Sequence, residues 1–151
     1  MSDDFIEIKI ANNEVNSKLL KLSEQCENLR LLMKNIAGIF ASSTEDNFRE
    51  EGIPKWQDLS EATKKYRKKI RKYPGQILQV NGNLASSITT YYDNDSAMIG
   101  SNLPYAAIHQ LGGLAGKNKK VEIPARPYLK LNDDDFDEII KTIDIYIIKI
   151  F

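Results

Sequence analysis

The sequence predicts an α+β fold in which a long N-terminal helix and a C-terminal helix pack on a small, mainly antiparallel sheet. Two observations carry most of this. Apolar residues recur at helical spacing near both ends of the chain, and short alternating runs separated by turn residues fill part of the middle. A third is the opening run "FIEIKI", where Phe5, Ile6, Ile8 and Ile10 come close to strand alternation.

From Val15 the period changes. Val15, Leu19, Leu22, Cys26, Leu29, Met33, Ile36 and Phe40 recur at steps of four and three, which predicts one long helix with a single apolar stripe. Such a heptad pattern also suits a coiled-coil seam, but no charge code flanks it, so the helix is expected to lie on its own sheet. "STEDNFREEGIPKW" then reads as a loop punctuated by Gly52 and Pro54 and anchored by Phe48, Ile53 and Trp56.

Asp58 and Glu61 stand at capping-box spacing, so a second helix is predicted to begin near Asp58. On a helical wheel Leu59, Ala62, Tyr66, Ile70 and Tyr73 gather into an apolar stripe, with cations fanned over the rest, and Pro74 and Gly75 end it. Past an Asn81-Gly82 turn signal, Ile88, Thr90 and Tyr92 alternate, "DNDS" turns the chain and "AMIG" resumes, which predicts a hairpin. "LPYAAIHQLGG" reads as a short helical or extended segment closed by Gly112 and Gly113. Residues 114–120 read as a polar, basic, mobile loop, and "VEIPARPYLKL" as a strand broken by Pro124 and Pro127, hence near a sheet edge or leaving one. The last stretch has Ile143, Ile145 and Ile147 in alternation. Phe136, Ile139, Ile140, Ile143, Ile147 and Ile150 also fit a helix, whose positive end the acids of "NDDDFDE" would occupy, and helix is the reading adopted.

At 151 residues this is most simply one domain, 1–151, large enough to fold without staples. One cysteine cannot form an internal disulfide, and one cysteine with one histidine cannot build a structural zinc cage; both suit a reducing cytoplasm. The acidic N-terminus lacks a secretion pattern, and no apolar run is long enough to cross a bilayer. Lysine plus arginine equals aspartate plus glutamate, 21 against 21, so bulk charge gives no pull toward nucleic acid.

Candidate chemistry is sparse. His109, the single histidine, lies near no G-x-S-x-G elbow, and Cys26 falls within an apolar stripe. "QLGGLAGK" lacks Walker spacing, so Gly112 and Gly113 read as a turn requiring positive φ. "NDDDFDE" lacks the glycine of a calcium loop. No catalytic residue, metal site or cofactor is predicted. The strongest charged feature is the basic run Lys64, Lys65, Arg67, Lys68, Lys69, Arg71 and Lys72, which could track a nucleic-acid backbone without reading bases.

Taken in order, "NFREEGIPKWQDLSEATKKYR", "ILQVNGNLASSI", "MIGSNLPYAAIHQLGG" and "IPARPYLKL" resemble the phage virion morphogenesis family, which includes tail-completion proteins of Mu-like and P2-like contractile-tailed phages. The most specific part is the ordered pair "IGSNLPYAAIHQLGG" and "IPARPYL". The resemblance implies a non-enzymatic assembly protein that acts in the host cytoplasm and in the tail or neck of the virion, completing the head-proximal end of the tail so that it joins a filled head. It further implies a ring of copies, often six, with tail-tube, terminator or neck proteins as neighbours and DNA passing nearby. A polar, sharply turned surface suits subunit contacts, so Tyr105, His109, Gln110, Arg126 and Tyr128 are expected at or near a head-to-tail interface, with the guanidinium of Arg126 offered to a neighbour's carboxylate or carbonyl.

Overall fold

The computed structural model describes residues 12–25 and 28–150. The predicted strand at Phe5–Ile10 and the core position assigned to Cys26 lie outside these residues. The architecture is α+β, as the sequence predicts: helices at both ends of the described chain, and two separate two-stranded antiparallel sheets between them.

Helix α1, Asn13–Gln25, starts where Asn12 Oδ1 accepts from the backbone N–H of Glu14 at 3.0 Å and of Val15 at 3.2 Å. Helix α2, Arg30–Arg49, follows it. The predicted single helix is therefore two, and the reason is a competing set of partners. Asn28 Oδ1 takes the N–H of Arg30 at 3.0 Å, while the N–H of Leu29 is drawn to the carbonyl of Asn94 in a distant turn, 3.1 Å away.

At its other end α2 runs through the segment read as loop, up to Arg49. Its inner face continues past Phe40 as Thr44, Asn47 and Phe48, all buried. Asn47 hides the continuation from a count of apolar residues. It is tolerated inside because its Nδ2 donates to the carbonyls of Tyr128 (3.0 Å) and Lys130 (2.8 Å). Helix α2 is the spine: β1, β2 and α6 all pack against it. Beyond it the chain turns at Gly52, φ 97°, where a Cβ would stand 2.5 Å from Trp56 Cδ1.

Helix α3, Glu61–Lys69, is shorter than predicted and capped by Ser60, whose Oγ accepts from Thr63 N at 3.2 Å. Asp58 instead bonds the N–H of Leu59 and pairs with Lys64 at 2.8 Å. The predicted stripe is also displaced. Tyr66 is 60% exposed, Ile70 and Tyr73 also face solvent, and the buried residue of α3 is Arg67. Ser60→Ala should destabilise the protein by about 1 kcal/mol, read from a urea denaturation midpoint.

The short helix α4, Asn83–Ser86, follows Gly82 and leads into the predicted hairpin of β1, Thr89–Tyr92, and β2, Ala97–Gly100, in register Thr89↔Gly100 to Tyr92↔Ala97. Its turn is tied by Asp93. That carboxylate accepts from the N–H of Asp95 and from the N–H and hydroxyl of Ser96, and these bonds, the Asp95 N–H foremost, hold its pKa down at about 2.

Helix α5, Ala106–Leu111, leads into β3, Gly113–Ala115, which pairs with β4, Val121–Ile123, around a 3-10 turn at Lys117–Lys119. The basic stretch 114–120 thus forms the outer half of a second hairpin. Helix α6, Asp133–Ile150, follows the helical reading. Its start is a reciprocal box: Asn132 Oδ1 accepts from Asp135 N at 2.9 Å, and Asp135 Oδ2 accepts from Asn132 N at 2.8 Å. Ile139 and Ile143 reach the core fully buried.

Candidate functional site

The two motif segments singled out in the sequence fold against each other. Gly112 closes α5 with φ 74° and ψ 173°, a conformation reserved in practice for glycine, and reverses the chain into the second hairpin. When the chain returns, residues 124–129 lie along α5 as a strap. Arg126 N donates to the carbonyl of His109 at 2.8 Å, Tyr128 Oη donates to the carbonyl of Ala106 at 2.8 Å, and Leu129 N donates to Gln110 Oε1 at 2.9 Å. Trp56 Nε1 adds a bond to the carbonyl of Pro127 at 3.3 Å.

These bonds place the five residues predicted at an interface. Tyr128 is fully buried, Arg126 is 6% exposed and Gln110 is 8% exposed, so Tyr128 and Gln110 are inner residues, and Arg126 lines a cavity instead of standing on the outer surface. Arg126 does find carbonyls, as its setting between prolines suggests, but they belong to its own chain: Nε donates to Gln57 O and Nη2 to Asp58 O, each at 3.0 Å. Of the five residues, Tyr105 is exposed and His109 is half-buried. Their rings meet edge to face with centroids 6.0 Å apart.

Among the described residues His109 has no hydrogen-bond partner for its ring. Its Nδ1 is buried without a hydrogen bond, and among the described residues no serine, cysteine or carboxylate bonds the ring. Burial foremost, and then the positive charge of Arg126, hold its pKa below the usual 6.5. A histidine whose folded pKa is depressed binds more protons unfolded than folded, so its contribution to stability is complete above pH 6.5 and is lost as pH falls below that value. The melting temperature of the wild type should therefore drop more steeply between pH 7 and pH 5 than that of His109→Gln, followed by circular dichroism.

Beneath the strap lies a cavity of about 660 Å³. Arg67 and Arg126 are among its polar lining residues, Leu59, Leu78, Val80 and Ile123 among its apolar ones, and Tyr105 and His109 also line it. Arg67 is 2% exposed and is held by the carbonyls of Gln76 (2.8 Å) and Gly75 (3.3 Å). The basic run therefore does not act as one surface. Arg67 points inward, and Lys64 is engaged by Asp58 at 2.8 Å and Glu61 at 3.0 Å, which raises its pKa, the bond to Asp58 contributing most. Lys65, Lys68, Lys69, Arg71 and Lys72 remain exposed. Among the described residues no three His, Cys, Asp or Glu side chains come together as a cation site, and no helix is long and apolar enough to cross a membrane.

Residues 10–147 match the phage virion morphogenesis family. The chain is 42% identical over 142 residues to Mu-like prophage FluMu G protein 2 of Haemophilus influenzae, covering 93% of this chain and 95% of that protein. It is 38% identical over 119 residues to the candidate capsid assembly protein G of Escherichia phage Mu, covering 76% of each. Mu-like prophage FluMu G protein 1 of Haemophilus influenzae is 34% identical over 139 residues, 89% of each chain. No solved structure gives a significant match. With a match that runs through the α2 spine, both hairpins and the strap, this chain belongs to the phage virion morphogenesis family.

Proposed function

We propose that this protein completes the head-proximal end of a phage tail, or the neck, so that tail and head can join, and that it does so by contact and shape without turning over a substrate. Family membership supplies the general role in building the virion. One structural observation carries the finer reading: α5 and the second hairpin form a braced unit that leaves large apolar side chains outside. Leu111 is 73% exposed, Leu114 58% and Val121 52%. Large apolar side chains left exposed on a braced element suit burial against another protein. The neighbours are further copies of the chain in a ring, together with tail-tube, terminator or neck proteins, assembled in the host cytoplasm and retained in the virion.

The test is genetic and visual. Host cells producing phage or prophage particles without this chain should accumulate filled heads and separate tails in negative-stain images; joined particles in normal number would reject the role. Leu111→Glu makes the surface claim specific. Unfolding free energy should move by less than about 0.5 kcal/mol, since the side chain is exposed, while joined particles fall at least tenfold.

A second reading keeps nucleic-acid backbone contact through the five exposed cations of α3 and the turn after it. At most five phosphates engaged would give a log K against log salt slope no steeper than about −4.5 on duplex DNA.

A further inference from the structure

The cavity beneath the strap holds two guanidiniums that are almost wholly removed from water, and neither forms an ion pair among the described residues. Each guanidinium carries five N–H donors. Arg67 spends Nη1 on two carbonyls, and its Nε is buried with no partner. Arg126 spends Nε and Nη2 on two more. Arg67 Nη2 and Arg126 Nη1 make no hydrogen bond among the described residues. The two charges also act on each other: after burial, the charge of Arg67 is the main cause that lowers the pKa of Arg126.

The charge of Asp58 acts on Arg126 without bonding it, so the direct partners of both guanidiniums are carbonyls alone among the described residues, and a buried charge with no paired counter-ion is costly. Two carboxylates line the same cavity, but Asp58 is committed to Lys64 and Glu122 is exposed on β4. What the guanidiniums lack is a carboxylate, whose two oxygens match their planar forks. The apolar wall favours one carried on a protein segment over a free ion. The chain itself displays such groups: Asp133, Asp134, Asp137 and Glu138 at the start of α6 are exposed and form no ion pair among the described residues.

We propose that the cavity under the strap is a carboxylate socket in which a second copy of the chain docks, an acid from the exposed start of its α6 bridging Arg67 and Arg126. This rests on the assembly reading above and names one of its contacts. The contact joins two different patches, so each copy offers both halves.

Sedimentation velocity on the full chain at low salt tests it with two variants. One neutralises the acids, Asp133→Asn, Asp134→Asn, Asp137→Asn and Glu138→Gln together. The other is Asn81→Glu, which places a carboxylate at the rim of the cavity and leaves the buried arginines, whose removal endangers folding, untouched. The wild type should self-associate with rising concentration, and each variant should do so at least tenfold more weakly. An equimolar mixture should regain association and stop at the dimer, since each variant retains one half of the contact. A wild type that stays monomeric, variants that associate like the wild type, or a mixture no better than either variant alone would each overturn the socket. If that happens while particles lacking the chain still fail to join, the assembly role stands and only the socket falls.

Discussion

Tyr128→Ala should lower the free energy of unfolding by about 3–5 kcal/mol, the largest loss expected from a single substitution in this molecule. The ring is fully buried and tilts against Phe48 at a centroid distance of 5.3 Å, while Phe48 in turn meets Trp56 edge to face at 6.0 Å. Deleting the ring therefore opens a hole between the strap and the α2 spine, where neighbours held by their own hydrogen bonds cannot close in. The hydroxyl makes a smaller, separable contribution. Tyr128→Phe keeps the packing and removes only the bond to the carbonyl of Ala106, so it should cost about 1 kcal/mol. Burial pushes the phenol pKa well above its ordinary value of 10, which keeps it a donor throughout the accessible pH range. Chemical denaturation of both variants checks the argument. A Tyr128→Ala variant as stable as Tyr128→Phe would show that the ring does not fill space as described.

Gly112→Ala should cost more than about 2 kcal/mol and should disturb the site as well as the fold. The conformation alone, φ 74° with ψ 173°, penalises any side chain by roughly 1–3 kcal/mol. Space adds to this, because a Cβ would lie 2.8 Å from Ala125 N and 3.0 Å from Ile123 O, and both obstacles are backbone. Relief requires lifting the strap away from α5, which weakens the bond from Arg126 N to His109 O. Gly82→Ala is the matched control. It shares a positive φ of 73° but meets nothing within 4 Å, so its cost should stay near 1 kcal/mol. Equal losses at the two positions would mean that torsion alone matters and that the close approach of the strap does not.

Several elements were legible in the sequence because their signals are local. The first hairpin announces itself through alternation and an Asp-rich turn, the Gly112 reversal through a residue type, and the last helix through spacing with acids at its start. What escaped depends on partners far away in the chain. The break after α1 is set by a backbone bond from Leu29 to Asn94, which no window around Leu29 contains. Helix α3 misled for a related reason: periodicity counts apolar residues, whereas the residue that goes inside is Arg67, made acceptable by the carbonyls of Gly75 and Gln76. Arg126, Gln110 and Asn47 repeat the pattern. Gln110 and Arg126 were expected on a polar surface and Asn47 in a loop, and their burial follows from main-chain groups that only the fold brings to them. The paired motifs were recognisable as a unit, and the strap explains why they occur together.

The strap has a consequence for how this protein can diversify. Both ends of the second hairpin are tied to α5, Gly112 N to Ile108 O and Arg126 N to His109 O, and the tip at Lys117–Lys119 is exposed beyond them. Residues can be added or exchanged there at little cost, since doubling a flexible loop costs only about 0.6 kcal/mol. The tip is thus the part of the molecule whose sequence is freest to vary while everything behind Gly112 stays as it is.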